Sequence, residues 1–347
     1  MKVKAADIAR KLNLSKATVS LALNGKTGVS PKTREAVLKC LNDMEKGSCI
    51  RDSEYGPPAR KQMIKIIIVN KKKGIITDSE LDLWTDVFKV FDRETKRLGY
   101  TLGITYTEMK EEEIERVIED ACQEEVAGII LDATEMEKDD FRPFCRISKP
   151  MVIYDNDLDV HYNCVAIDNA AAVGSLVDYL AAQGCQNIRY LANEVDIYNF
   201  SQRRAGFRMG LEKNGIPAGE SLIVRAGTTI DDVSEKMERY LDKNDLPDAF
   251  IMENYQVSIG VMRALRKKGI QVPQDVSLAG VDELPSYMTG ECRLTTVRVA
   301  HAQRAQAVMM FLEKEIREPV AAKFKIFSNS ELIRGNSVKE SGESVYE

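Results

Sequence analysis

Between residues 64 and 281 the chain alternates short apolar runs with helix-length amphipathic stretches, and this alternation limits the fold more than any other feature. Ile64 to Val69, Thr101 to Tyr106, Val126 to Leu131 and Met151 to Tyr154 read as buried strands, separated by helical stretches such as Leu83 to Leu98 and Glu111 to Glu124. The pattern then starts again. Cys164 to Ile167, Ile188 to Ala192, Leu222 to Val224, Ala249 to Met252 and Val276 to Val281 are strands, with helices near Ala170 to Gln183, Gln202 to Asn214, Ser234 to Lys243 and Val257 to Lys268. Strand and helix alternating over this length implies parallel sheets covered by helices on both faces. Two successive sets predict two doubly wound α/β lobes, with a boundary near residues 155 to 163. At 347 residues the chain is long enough for both lobes and a small unit ahead of them.

That leading unit has a different texture. Ala5, Ile8, Ala9 and Leu12 recur at helical spacing, Asn13 interrupts, and Ser15 caps a second short helix whose Val19, Ala22 and Leu23 turn back toward the first. Two short helices meeting at a tight corner make a helix-turn-helix. The opposite face of the second helix carries Lys16, Ala17, Ser20 and Leu21. On such a face Lys16 suits a guanine edge or a phosphate, Ala17 and Leu21 suit thymine methyls, and Ser15, Thr18, Ser20 and Asn24 suit phosphate oxygens. An ordinary three-helix bundle with a solvated face shares the apolar pattern. Charge separates the ends of the chain: residues 1 to 49 hold ten Lys/Arg against four Asp/Glu, the remainder 39 against 50. The basic end fits a polyanion, which the acidic body repels.

Ser30-Pro31 opens a third helix with Val37, Leu38, Leu41 and Met44 on one face. The run S-x-x-T-V-S-x-x-L-N-G, here Ser15, Thr18, Val19, Ser20, Leu23, Asn24 and Gly25, is followed by V-S-x-x-T-R at Val29, Ser30, Thr33 and Arg34. On these residues the N-terminus resembles the DNA-binding headpiece of the LacI/GalR family of bacterial transcriptional regulators, which adds Ser30 and Thr33 to the expected DNA contacts. The body resembles the same family's core, a periplasmic-binding-protein-like fold, through Arg203-Arg204-Ala205-Gly206-Phe207, Val272 to Ser277, Gly280-Val281-Asp282 and Leu294 to Val297. The fold expected is therefore an all-α helix-turn-helix headpiece plus an α/β core of two doubly wound parallel-sheet lobes.

The likeness implies a headpiece at 1–46, a linker at 47–62, a first lobe at 63–160 with 288–322, a second at 161–287 with 323–338, and a tail at 339–347. Three crossings then join the lobes, the helix near Ala302 to Lys314 returning to the first and the stretch near Phe324 to Ile333 to the second. Family members carry in the linker a hinge helix with a Leu wedge for the minor groove. Here Tyr55, Pro57, Ala59 and Arg60 replace it and the Leu is absent, so that wedge is not expected.

Ligands of open α/β sheets sit beyond the carboxyl ends of the strands, which in a two-lobed protein is the cleft. The resemblance places Trp84 there as an aromatic platform, Arg203 as a donor to effector oxygens and Asp282 as an acceptor, with Asn169, Asn199 and Asn254 as further contacts. Trp84 is equally suited to core packing, and Arg203 and Asp282 to an ion pair with each other. The family's usual Asn-Asp pair reads Asn254-Tyr255, which implies a reshaped pocket.

Other classes are disfavoured. The seven cysteines are odd in number and never spaced C-x-x-C, so most read as small buried residues rather than disulfide or zinc ligands, and two histidines are too few for a metal cluster. No phosphate-binding loop, H-E-x-x-H or G-x-S-x-G motif supports catalysis, so no catalytic residue, cofactor or metal is expected. No apolar run reaches membrane-spanning length and no apolar signal core opens the chain, which implies a cytoplasmic protein. The expectation is a sequence-specific transcriptional regulator, a repressor by family precedent. It binds double-stranded operator DNA as a homodimer or tetramer and answers a sugar-like effector in the cleft. The alternative is a non-catalytic sugar- or nucleoside-binding protein whose headpiece binds DNA weakly or not at all.

Overall fold

The structure, a computed structural model, describes residues 8–9, 12, 14–23, 29–30, 33–34, 36–37, 62–76, 85–319 and 321–341. The chain divides into two compact units, Met1–Lys61 and Gln62–Glu347.

In the first unit Ile8, Ala9 and Leu12 are helical, and α1 spans Lys16–Leu23. The Leu14 amide donates to the Ala9 carbonyl at 2.9 Å, which closes the corner. Ser15 caps α1, its Oγ accepting the Thr18 amide at 3.0 Å, and Ser30 caps the next helical stretch by accepting the Thr33 amide at 3.1 Å. Ile8, Ala9, Val19, Ala22 and Val37 form the core, flanked by Leu12, Leu14, Leu23 and Val29. The unit thus packs as the apolar spacing requires. Asn13, Asn24, Pro31, Leu38, Leu41, Met44 and residues 47–61 of the expected linker lie outside the described residues.

The second unit holds two six-stranded sheets. The first contains β1 (Met63–Val69), β2 (Thr101–Thr107), β3 (Val126–Asp132), β4 (Met151–Tyr154), β5 (Asn163–Ile167) and β11 (Lys325–Ser328) in the order β11-β5-β4-β3-β1-β2, all parallel. The second contains β6 (Ile188–Asn193), β7 (Ile223–Gly227), β8 (Ala249–Met252), β9 (Ser277–Val281), β10 (Thr295–Val299) and β12 (Ser330–Ile333) in the order β12-β10-β9-β8-β6-β7, with only β12 antiparallel.

Central strands are mostly apolar on both faces because helices cover both, an exception being Lys65 on β1, which is buried and paired with Asp120. On β1, Ile64, Ile66 and Ile68 meet α2 (Thr85–Arg97) and α9 (His301–Arg317), whereas Ile67 and Val69 meet α3 (Glu111–Ala121) and the 3-10 segment Lys138–Arg146. In the second sheet α4 (Asn169–Ala182) and α5 (Tyr198–Lys213) cover one face, and α6 (Ile230–Leu241) and α7 (Tyr255–Lys268) the other, while the single turn α8 (Ser286–Thr289) follows β9. Gly206 permits α5 to lie on the start of α4, since a Cβ there would stand 2.3 Å from the Ala170 carbonyl oxygen.

Three expectations need correction. The strand expected at Thr101 to Tyr106 is not buried: β2 ends the sheet order, and Ile104 and Tyr106 are exposed. The lobe boundaries also shift. β5, expected in the second lobe, pairs with β4 in the first sheet; β10, expected in the first, pairs with β9 in the second; and β11 pairs with β5 in the first. The chain still crosses three times, but at Asp168, Ala300 and Asn329. Of the cysteines described, only Cys164 and Cys185 are buried, Cys122 and Cys292 are half-buried, and Cys145 is exposed; all five are free thiols. Among the described residues no helix is long and apolar enough to cross a membrane.

Candidate functional site

α1 docks on its core through Val19 and Ala22, which turns the opposite face outward. Ser15, Lys16, Ala17 and Ser20 are exposed there, with Thr18 and Leu21 half-exposed beside them. The Ser15 and Thr18 hydroxyls lie 2.8 Å apart and those of Ser30 and Thr33 2.7 Å apart, so all four expected contacts also hold helix caps together. The face offers one cation, small apolar groups and hydroxyls, the mixture that a major-groove helix presents. Asn24 lies outside the described residues.

The second site forms where the two sheets bring their carboxyl ends together. From the second lobe come Asn169 at the start of α4, Asn199 and Arg203 on α5, and Asn254 after β8, all buried. Arg203 Nε donates to Asn169 Oδ1 at 2.8 Å and its Nη1 to the Glu253 carbonyl at 2.7 Å. Asn169 donates to Asn199 Oδ1 at 2.9 Å, and Asn199 reaches across to Asp155 Oδ2 of the first lobe at 2.8 Å. Four of the residues expected from sequence are thus brought together, three of them in one hydrogen-bonded line. Trp84, the expected platform, lies outside the described residues.

Asp282 follows β9 with a positive φ of 74° and is half-buried. It does not pair with Arg203, whose hydrogen bonds all go to neutral oxygens. Asp282 instead lines a groove of 1090 Å³ with His301, Arg298, Ser330 and Glu331, beside two of the three crossovers. Burial holds the His301 imidazole below its ordinary range. Asp282 and Asp155 pull it up while Arg304 and Arg203 push it down, so four charged groups act on one ring.

The first lobe supplies residues that sequence reasoning missed. Arg304 of α9 is 2% exposed, forms an ion pair with Asp155, and lies 4.6 Å over the Tyr154 ring. Thr134 Oγ1 stands 2.8 Å from Asp132 Oδ1 and 2.9 Å from Asp155 Oδ2. Burial and the neighbouring Asp155 push the Asp132 carboxyl up to about 7. At the mouth, buried Glu135 gathers the loop after β1, its carboxylate accepting the amides of Lys71, Lys73, Ile75 and Ile76. That loop touches the second lobe: Gln256 Nε2 donates to the Gly74 carbonyl at 3.2 Å and Lys73 Nζ to the Asp196 carbonyl at 3.4 Å. The cleft is closed.

Arg204, next to Arg203, has a different task. It grips buried Glu253 through Nε at 2.7 Å and Nη2 at 2.9 Å, and also holds Asp196. Glu253 in turn accepts the Asn193 amide at 2.7 Å. Burial raises the Glu253 carboxyl while Arg204 lowers it, and the rise prevails. Asp155, Asn193 and Glu253 each sit at or just past a strand's last apolar residue, a signal that could have found them. Arg304, within a helix, gave none.

Three amides at the second lobe's strand ends are oriented by the backbone. Asn193 Oδ1 accepts from the Val195 amide, Asn254 Oδ1 from the Val257 amide, and Gln256 Nε2 donates to Gly74. This fixes the remaining atoms as two donors, Asn193 Nδ2 and Asn254 Nδ2, and one acceptor, Gln256 Oε1. All three are buried without a partner among the described residues.

Comparison with known proteins agrees with this architecture. Residues 5–45 match the bacterial regulatory proteins of the lacI family, and residues 177–338 match the periplasmic binding protein-like domain. The HTH-type transcriptional repressor PurR of Pasteurella multocida (strain Pm70) is 24% identical over 335 residues, covering 96% of this chain and 98% of the relative. The fold is similar to the transcriptional regulator CelR in its complex with cellobiose, at a TM-score of 0.70 and 20% identity over 96% of this chain and 99% of that one. It is also similar to the Lac repressor dimer bound to operator and the anti-inducer ONPF, at a TM-score of 0.67 and 19% identity over 97% and 99%. With a lacI-type helix-turn-helix unit ahead of a periplasmic-binding-protein-like core, the chain belongs to the LacI/GalR family of bacterial transcriptional regulators and acts as a DNA-binding regulator.

Proposed function

We propose that the cleft takes a small polar effector, of the sugar or sugar-derivative class, and that its occupancy governs DNA binding by the headpiece. The observation that carries this reading is the trio of buried, backbone-oriented amides at Asn193, Asn254 and Gln256 that have no partner among the described residues. Leaving such groups unsatisfied costs about 1–3 kcal/mol each, and a ligand with several hydroxyls or carbonyls satisfies donors and acceptor together. Arg203, Asn169, Asn199 and Asp282 border the same region, and the CelR structure holds cellobiose. No step of this reading is catalytic.

On the DNA side, Lys16, Ala17 and Leu21 contact base edges, while Ser15, Thr18, Ser20, Asn24, Ser30 and Thr33 fix the headpiece on phosphates. Two copies in a homodimer set two such helices on a near-palindromic operator. The Lac repressor relative is a dimer on its operator.

A thermal-shift screen of sugars, sugar phosphates and nucleosides tests the effector half. A ligand at a hundred times its Kd adds about 2.7 kcal/mol of apparent stability. The expected result is one chemical class that raises Tm in the wild type and not in Arg203→Ala. A ligand that raises Tm equally in both variants would move the effector site away from this cleft.

A further inference from the structure

The pair of carboxylates at the first lobe's strand ends poses a problem of proton count. Thr134 Oγ1 lies within hydrogen-bond distance of both Asp132 Oδ1 and Asp155 Oδ2, at 2.8 and 2.9 Å. A hydroxyl has one proton to give. One proton shared between two carboxylates makes only a weak three-centre bond; both contacts are full two-centre hydrogen bonds when one carboxyl is itself protonated and donates to the hydroxyl oxygen.

Charge decides which one. Asp155 is paired with the Arg304 guanidinium and accepts the Asn199 amide from the opposite lobe, so its carboxylate is already partnered. Asp132 is 4% exposed and among the described residues has no ion pair of its own; besides the Thr134 hydroxyl and the Thr134 amide, which donates to Oδ1 at 3.2 Å, the groups acting on it are Asp155, which repels its charge, and Arg304, which attracts it. Around Asp155 and Arg304 stand His301, Asp282 and Arg203, with the Tyr154 ring beneath the guanidinium. The proton therefore belongs on Asp132.

We propose that a proton on Asp132 is part of the closed cleft: Asp132 donates to Thr134 Oγ1, Thr134 donates to Asp155 Oδ2, and Asp155 receives the Asn199 amide from the opposite lobe. Without that proton the closed cleft confines a second negative carboxylate beside the Asp155–Arg304 pair, and admitting water by opening relieves the repulsion. Closure thus takes up a proton.

The sign follows from linkage. The carboxyl is raised to about 7 in the closed form, against an ordinary range near 4 once hydrated. Closure is fully favoured below the hydrated value, weakens as pH rises between the two, and changes no further above about 7. Within that window the closed-to-open ratio falls about tenfold per pH unit. This inference concerns the first lobe's own groups and holds whatever ligand the cleft takes.

The test is small-angle scattering of the full chain, without ligand, from pH 5 to pH 8, on the wild type, Asp132→Asn and Thr134→Val. Asparagine is neutral and can donate to Thr134 Oγ1 at every pH. The expected result is a wild type that expands as pH rises, an Asp132→Asn form that stays compact throughout, and a Thr134→Val form that loses the wild-type pH response. Infrared difference spectra of the wild type should show a protonated carboxyl disappearing over the same range, a band absent from Asp132→Asn. A pH response shared by the wild type and Asp132→Asn overturns the proposal. So does a wild type that neither expands nor loses a carboxyl band between pH 5 and 8, a readout that stands even if a variant fails to fold.

Discussion

Arg203 and Arg204 are neighbours on α5, both almost fully buried, yet only one has a carboxylate. Arg204 is gripped by Glu253 on two sides, so removing the acid leaves a buried guanidinium with only part of its shell. Breaking a buried pair in this way costs about 3–5 kcal/mol, and urea unfolding of Glu253→Ala should show a loss of that order. A midpoint within error of the wild type would mean that Asp196 and water replace Glu253 without loss. Arg203 touches an amide and a carbonyl instead. Its removal should therefore cost less stability than Glu253→Ala while abolishing the ligand response. Gly206 is a third residue whose role is local: a methyl there meets backbone, which cannot swing aside. Gly206→Ala should lower stability by about 1–3 kcal/mol by overpacking, read as a lower urea midpoint at unchanged slope.

Among the elements, α1 presents the simplest division between holding and reading. Val19 and Ala22 anchor it, Ser15 caps it, and the outward face is left for a partner. Ser15→Ala should cost about 1 kcal/mol of headpiece stability through the lost cap, measured by thermal unfolding of the full chain. Leu21→Arg should leave folding and ligand binding unchanged and shift the duplexes selected from random DNA; unchanged selection would count against base reading at this position. The helix corner and the strand runs were legible in the sequence because apolar spacing directly reports which face is buried. The membership of each sheet was not. Cys164 to Ile167 reads as a strand, but only pairing with β4 and β11 shows that it belongs to the first sheet rather than opening the second. Edge position was equally hidden, since the apolar residues of β2 resemble those of a central strand although Ile104 and Tyr106 face outward.

For the molecule as a whole, the cleft was legible from the second lobe and not from the first. Asn169, Asn199, Arg203 and Asn254 follow strand ends or helix starts, and the structure brings them together on the second lobe. Asp132, Thr134, Asp155 and Arg304 come from three separate stretches whose convergence depends on sheet order, which no local pattern states. The structure joins the lobes through Asn199 to Asp155 and through Gln256 to Gly74. Were a ligand to favour one arrangement of the lobes over another, a differential affinity of a few kcal/mol would be enough to control a distant reader.

The central claim is that ligand in this cleft controls DNA binding by α1. Its most direct test is titration of a selected duplex with the full chain in the presence of excess random competitor, with and without the ligand found by thermal shift, for the wild type and Arg203→Ala. The account predicts that the wild type prefers the selected duplex and changes affinity with ligand by roughly fivefold or more, while Arg203→Ala keeps the preference and loses the response. A wild type that favours no duplex under either condition, or an Arg203→Ala form that responds as the wild type does, would contradict it.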